Sequence, residues 1–103
     1  MPSSDPRFTL HVELPGDDAS VVRMTIDGEL DMAGAAPLLS AFDGVPDGAS
    51  LELDLRGVSF LDSSGLRTLL ASHRQRPTSI VAASDAVARL CKIAGVEFLL
   101  SPH

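Results

Sequence analysis

Apolar and polar residues alternate in two segments near the start of the chain, with the period of two that strands show when one face is covered. The segments span residues 8–14 and 22–27, and the turn-forming run Pro-Gly-Asp-Asp at 15–18 lies between them. The pattern predicts a β-hairpin. Residues 1–7 are mostly polar and have little to bury, so they are predicted to form a flexible tail.

Helix and strand patterns then follow one another along the rest of the chain, separated by runs rich in glycine and proline. The predicted elements are a helix over 34–42, a strand over 51–60, a helix capped by Ser63 or Ser64 that ends at Pro77, a strand over 79–83, a helix over 85–94 and a final edge strand over 98–100. This order predicts one α/β domain over residues 8–103, a mixed sheet of four to five strands with helices mainly on one face.

Spacings of three and four residues predict which helix positions face the core. The inward positions are Leu38, Leu39 and Phe42 in the first helix, Leu66, Leu69, Leu70 and His73 in the second, and Val87, Leu90, Cys91 and Ala94 in the third. Pro37 is expected in the first turn of its helix, where a missing N–H is harmless. Ser84 is the expected N-cap of the third helix and Gly95 its left-handed C-cap.

Composition limits the partners that the chain is expected to have. Its 103 residues include 14 acidic and 8 basic side chains, for a formal net charge of −6. This charge repels nucleic-acid phosphates and anionic lipid, so neither nucleic acid nor a membrane is an expected partner. No apolar run approaches the roughly 20 residues that span a bilayer. The start has no pattern of a secretory signal, so a cytoplasmic location is expected.

Few residues are available for metal or redox chemistry. Cys91 has no second cysteine with which to form a disulfide, and its place in an apolar stripe indicates packing. The three histidines, His11, His73 and His103, have no spacing typical of a metal cluster. No metal or cofactor is therefore expected.

The segment Asp62-Ser63-Ser64-Gly65 lies between a predicted strand and a predicted helix. A hydroxyl at a helix N-terminus is surrounded by unpaired N–H groups that tolerate a phosphate, and Gly65 would let a partner come close to it. Local spacing alone favours the simpler interpretation, in which a serine only caps the helix. Catalysis by Ser63 is not expected, because His73 is predicted to face the core and no Gly-x-Ser-x-Gly elbow is present. The protein is thus not expected to be an enzyme.

Glu29 and Asp31 lie at the junction between a strand and a helix. They are either exposed contacts for a partner or solvated turn and cap residues, and the residues themselves leave both interpretations open.

The ordered combination of four segments resembles the STAS domain of bacterial anti-sigma factor antagonists. These segments are Gly-Glu-Leu-Asp at 28–31, Leu-Glu-Leu-Asp-Leu-Arg-Gly-Val-Ser-Phe-Leu-Asp-Ser-Ser-Gly-Leu at 51–66, Ser-Asp-Ala-Val-Ala-Arg-Leu at 84–90 and Ile-Ala-Gly-Val at 93–96. The resemblance implies that the unmodified protein binds an anti-sigma factor that is also a serine kinase and so frees a sigma factor. Phosphorylation by that kinase would then release it, and a phosphatase is a further expected partner.

By the same resemblance Ser63 is the phosphoacceptor, with Ser64 as a secondary candidate. The positions that the resemblance assigns to partner binding are Glu29, Asp31, Asp62, Ser63, Ser64, Gly65 and Arg67. Arg67 stands where the family usually has a small residue, so it is expected either to hold a phosphate or to obstruct the usual kinase. The sequence does not predict an oligomeric state.

Two alternatives stay open. The chain is similar in size to the small STAS subunit that regulates the ATPase of a lipid-transporting ABC complex, although that subunit often has Thr at the hydroxyl position. The other alternative is a silent domain, in which Ser63 only caps its helix.

Overall fold

The computed structural model describes residues 8–13 and 20–100, and they form a four-stranded mixed sheet with three α-helices. The strands are β1 (Phe8–Glu13), β2 (Val21–Leu30), β3 (Ser50–Leu61) and β4 (Thr78–Ala83). The helices are α1 (Met32–Asp43), α2 (Ser63–Gln75) and α3 (Asp85–Ala94), followed by a 3₁₀ turn at Glu97–Leu99. The sheet order is β1-β2-β3-β4, which confirms the predicted fold class.

Pairing within the sheet follows from the connections between strands. β1 runs antiparallel to β2, whereas β2, β3 and β4 run parallel to one another, and a helix makes each parallel crossover. The predicted tail at 1–7 and the predicted turn at 15–18 lie outside the described residues.

The period of two in β2 and β3 sorts their side chains onto two faces. Met24, Ile26, Leu53 and Leu55 are fully buried, while the residues between them, Thr25 and Asp54, are only partly covered. Together with inward residues of all three helices, the buried strand residues form one largely aliphatic core. Burial of apolar surface on one side of the sheet is the main force that holds the helices against it.

α1 differs from its prediction in where it begins and in which of its residues face the core. It begins at Met32, because the Asp31 carboxylate accepts a hydrogen bond from the N–H of Ala33 and caps the helix there. Pro37 therefore lies beyond the first turn, and the prediction for it was wrong. Leu38 is buried as predicted, but Leu39 is 41% exposed.

The end of α2 and the last segment also differ from prediction. His73 does not face the core. It is exposed, and its ring lies 5.1 Å from the ring of Phe98. The predicted strand at 98–100 is instead the 3₁₀ turn, and only Leu100 pairs with the sheet, through a single parallel bridge to Ile80. A short apolar run fits either structure, so the pattern alone could not distinguish them.

α3 has the termini that its sequence predicts. The hydroxyl of Ser84 accepts a hydrogen bond from the N–H of Val87 at 3.2 Å, and Gly95 ends the helix with a φ of 75°. Val87 and Cys91 are buried as expected, whereas Ala94 is exposed. None of the described helices is long and apolar enough to cross a membrane.

Candidate functional site

The candidate site lies where the two central parallel strands end. Leu30 and Leu61 are register partners at the ends of β2 and β3, and each is followed directly by an aspartate. Because parallel strands end at the same edge of a sheet, Asp31 and Asp62 start α1 and α2 side by side. All seven positions assigned to partner binding therefore lie at this edge or on the first two turns of α2.

Asp62, and not either serine, is the N-cap of α2. Its carboxylate accepts a hydrogen bond from the N–H of Gly65 at 2.9 Å, so Ser63 and Ser64 are the first residues inside the helix. The predicted serine cap was wrong, since an aspartate caps as well as a serine does and its charge also suits the positive end of the helix.

The two serines differ in accessibility. Ser63 is exposed, and its hydroxyl forms no hydrogen bond within the part of the chain that the structure describes. Ser64 is partly covered, and its carbonyl oxygen accepts a hydrogen bond from the hydroxyl of Thr68 at 3.1 Å. Of the two residues, Ser63 is the more exposed.

Gly65 is buried and packs against the ends of the two central strands. A Cβ at this position would lie 2.6 Å from the carbonyl oxygen of Leu30 and 2.6 Å from Cδ1 of Leu61. The absent side chain thus lets α2 approach the ends of β2 and β3 closely. Close packing is thus one reason for glycine at this position, and the expected approach of a partner to the neighbouring hydroxyl stays a prediction.

Glu29 and Asp31 have different surroundings although they are two residues apart. Asp31 is partly covered and caps α1, so the cap interpretation is confirmed for it. Glu29 is exposed and lies in register with Phe60, which is 48% exposed. Residue 59 has no partner in the register at this point, and such a bulge changes the face to which the following side chain points.

A shallow groove of about 480 Å³ runs between α1 and α2 beside these residues. Its lining residues are Met32, Ala35 and Leu39 from α1 and Ser64, Arg67, Thr68 and Ala71 from α2. Met32 is 75% exposed. The sequence pattern assigned no functional role to Met32 or Phe60 and predicted Leu39 in the core, because the exposure of these residues depends on the helix start and on the bulge.

Two ion pairs lie on the polar face of the sheet. Arg23 bonds to Glu52, its register partner, at 2.7 Å, and Arg56 bonds to Asp54 at 2.8 Å. The hydrogen bonds and charge of Arg56 lower the pKa of Asp54. Away from the site, burial raises the pKa of the Cys91 thiol. Among residues 8–13 and 20–100 no group of His, Cys, Asp or Glu is arranged to hold a metal ion.

Comparison with known proteins identifies the family. Residues 15–101 match the family model described as "Mlab, STAS domain". The anti-sigma-B factor antagonists of Listeria monocytogenes and Listeria innocua are each 30% identical to the chain over 100 residues, which covers 90% of this chain and 88% of theirs. The chain therefore belongs to the STAS domain family, among the anti-sigma factor antagonists, and the resemblance carried by its motifs is confirmed.

Solved structures agree with this assignment. An anti-sigma factor antagonist from Mycobacterium paratuberculosis is 28% identical, with a TM-score of 0.75 over 97% of this chain and 87% of its own. The unphosphorylated form of the antagonist SpoIIAA has 19% identity and a TM-score of 0.73, covering 90% and 86%. The phosphorylated form of the Bacillus SpoIIAA has 17% identity and a TM-score of 0.68, covering 90% and 89%. The last two likenesses concern the fold.

Proposed function

We propose that this protein binds an anti-sigma factor that is also a serine kinase, and that phosphorylation of Ser63 ends the binding. The observation that carries the proposal is the exposed position of Ser63 at the start of α2, outside the core, with a hydroxyl that forms no hydrogen bond within the described residues. A kinase needs such an accessible hydroxyl. In this scheme the protein catalyses nothing itself: it is the substrate of the kinase and of a phosphatase that resets it.

The position of Ser63 lets a phosphate change the surface without breaking the fold. The first turn of α2 has N–H groups and a positive dipole end that favour negative charge. A phosphate adds about −1.5 to −2 charges, next to the carboxylate of Asp62. About 1.4 kcal/mol changes an affinity tenfold, so a modest repulsion between the phosphate and a bound partner is enough to release that partner.

The likeness to both forms of SpoIIAA supports this view. One of these solved structures is the unphosphorylated form of SpoIIAA and the other is the phosphorylated form, and this chain matches the fold of each. A scaffold of this shape thus accommodates the modified state.

We assign the partner surface to the edge of the sheet around Ser63. It comprises Glu29, Asp31, Asp62, Ser63, Ser64, Gly65 and Arg67, with Gly65 supporting the surface from beneath. Ser64 is the secondary candidate for the phosphoacceptor and ranks below Ser63 because it is partly covered. A partner that controls transcription places the protein in the cytoplasm.

Phosphorylation by the cognate anti-sigma factor tests the proposal. With ATP present, one phosphate should be added to the protein, and Ser63→Ala should abolish its addition. Ser64→Ala, which removes the neighbouring hydroxyl from the same turn, is the matched control and should still be labelled. Full labelling of the Ser63→Ala variant, or loss of labelling only in the Ser64→Ala variant, would refute the assignment to Ser63.

A second candidate is the small STAS subunit that regulates the ATPase of a lipid-transporting ABC complex. It is kept because the matching family model is named Mlab and not for an antagonist. The protein that co-purifies from the native cell separates the two candidates. A histidine-kinase-like anti-sigma factor supports the first, and an ABC ATPase supports the second.

A further inference from the structure

Arg67 is an exposed arginine on the same helix as Ser63, four residues further along. It is the only charged residue between positions 63 and 70. The ion pairs on the polar face of the sheet join other residues, and Arg67 has none within the part of the chain that the structure describes. Its guanidinium is therefore available to a new anion.

Helix geometry brings the side chain of Arg67 toward Ser63. Residues four apart lie on one face of a helix, with about 5–6 Å between their Cβ atoms. Side chains in a helix also lean toward its N-terminus, so an arginine covers the turn that precedes it. The turn that precedes Arg67 is the one that begins with Ser63.

The other charges around Ser63 are carboxylates. Asp31 and Asp62 cap the two helices, and Glu29 is exposed at the end of β2. The residues that α1 contributes to the groove, Met32, Ala35 and Leu39, are uncharged. A dianion on Ser63 would thus be opposed by these acids, and Arg67 is the one guanidinium on the adjoining turn of α2.

We propose that the phosphate on Ser63 binds the guanidinium of Arg67 through an i, i+4 pair on α2, an inference that rests on the proposed function for the presence of the phosphate. Arginine suits this contact because its N–H groups match the oxygens of a phosphate. Modification then changes the surface twice: it adds negative charge and withdraws the cation that Arg67 offers to a partner in the unmodified state.

The test uses protein in which phosphoserine is incorporated at position 63 during translation, so that no kinase is needed. The second pKa of the phosphate, ordinarily near 6, is followed by ³¹P NMR against pH. A nearby cation favours the dianion and lowers this pKa. Removing this cation in Arg67→Gln should therefore raise the midpoint of the phosphate titration, by about 0.3 of a pH unit for an exposed helical pair.

Arg74→Gln is the matched control, because Arg74 is an exposed arginine on the same helix but lies about 16 Å along the helix axis from Ser63. The phosphate pKa in the Arg74→Gln variant should stay near that of the parent. In Arg67→Lys, which keeps a positive charge, the phosphate pKa should return most of the way to the parent value. Equal midpoints in the parent and the Arg67→Gln variant would overturn the pair, as would an equal shift in the Arg74→Gln variant.

The pair and the proposed function fail in different experiments. If phosphoserine at 63 leaves partner binding unchanged, the proposed function is wrong while the titration still decides the pair. If the partner is released but the titration midpoints coincide, the switch stands and Arg67 has no part in holding the phosphate.

Discussion

Asp62 donates its backbone N–H to the carbonyl oxygen of Leu30 at 3.2 Å, which joins the start of α2 to the end of β2. The same carbonyl oxygen lies against Gly65, where a Cβ would approach it to 2.6 Å. Ser63 lies between Asp62 and Gly65, so it belongs to a turn of backbone that is fixed to the sheet. These contacts fix the backbone at Ser63 although the hydroxyl itself forms no hydrogen bond within the described residues.

Adding a methyl group at Gly65 should push the start of α2 away from the end of β2. In Gly65→Ala the new Cβ meets backbone at Leu30, which cannot move aside as a flexible side chain would. We expect a loss of about 1–3 kcal/mol in the free energy of unfolding, as for other overpacked sites. Urea denaturation of the variant and the parent measures this loss.

Gly44→Ala is the matched control for that substitution. Gly44 has a φ of −78°, and the nearest atom to its Cβ is the carbonyl oxygen of Ala41 at 3.4 Å. Alanine fits such a position, so stability should stay the same or rise slightly. If both variants unfold at the same urea concentration, close packing at Gly65 does not support the site.

The aspartate cap makes a second prediction. Asp62→Ala leaves the N–H of Gly65 without its 2.9 Å partner and should lower the free energy of unfolding by about 1 kcal/mol. Asp62→Asn keeps a side-chain oxygen at the same place and should retain most of the stability. An asparagine variant as unstable as the alanine variant would show that charge, and not the hydrogen bond, is what the helix needs.

The sequence predicted the order of elements well because its signals are local. The period of two in β2 and β3, the cap at Ser84 and the left-handed turn at Gly95 each depend on a few neighbouring residues. The start of α1 was misplaced because Asp31 fits a turn and a cap equally well, and Pro37 suggested a later start.

The candidate site was only partly predictable, because some of its features arise between elements. The family resemblance pointed to Ser63, and the structure places that residue at the surface. The exposure of Phe60 depends on a bulge against β2, and the groove beside Met32 depends on how α1 packs on α2. No spacing within one segment encodes either feature.

The ion pair between Arg56 and Asp54 predicts how the stability of the protein changes at low pH. Hydrogen bonds from Arg56 lower the pKa of Asp54 below its ordinary 3.8, so the stabilising effect of this carboxylate is present above that pH and is lost as the pH falls through the lowered pKa. In Arg56→Gln the pKa of Asp54 should rise, which a carboxyl-carbon NMR titration measures. Arg89→Gln on α3 is the control, and an unchanged Asp54 titration in Arg56→Gln would contradict this cause.

The apolar residue at the mouth of the groove makes a prediction about binding. Met32 is 75% exposed in the groove that Ser64 and Arg67 also line, so Met32→Ala should weaken binding of the anti-sigma factor by about tenfold while leaving the fold intact. Ile93 on α3 is 74% exposed, and Ile93→Ala removes comparable apolar surface away from the site. Calorimetric titration of both variants checks the prediction, which fails if Ile93→Ala weakens binding as much as Met32→Ala.

The affinity of the anti-sigma factor for two forms of this protein tests the central claim most directly. One form carries serine at position 63 and the other phosphoserine incorporated at the same position, with identical folds verified by circular dichroism. We expect the phosphoserine form to bind at least about tenfold more weakly, since its added charge would lie inside the proposed partner surface. Equal affinities for the two forms would contradict the claim that Ser63 controls binding.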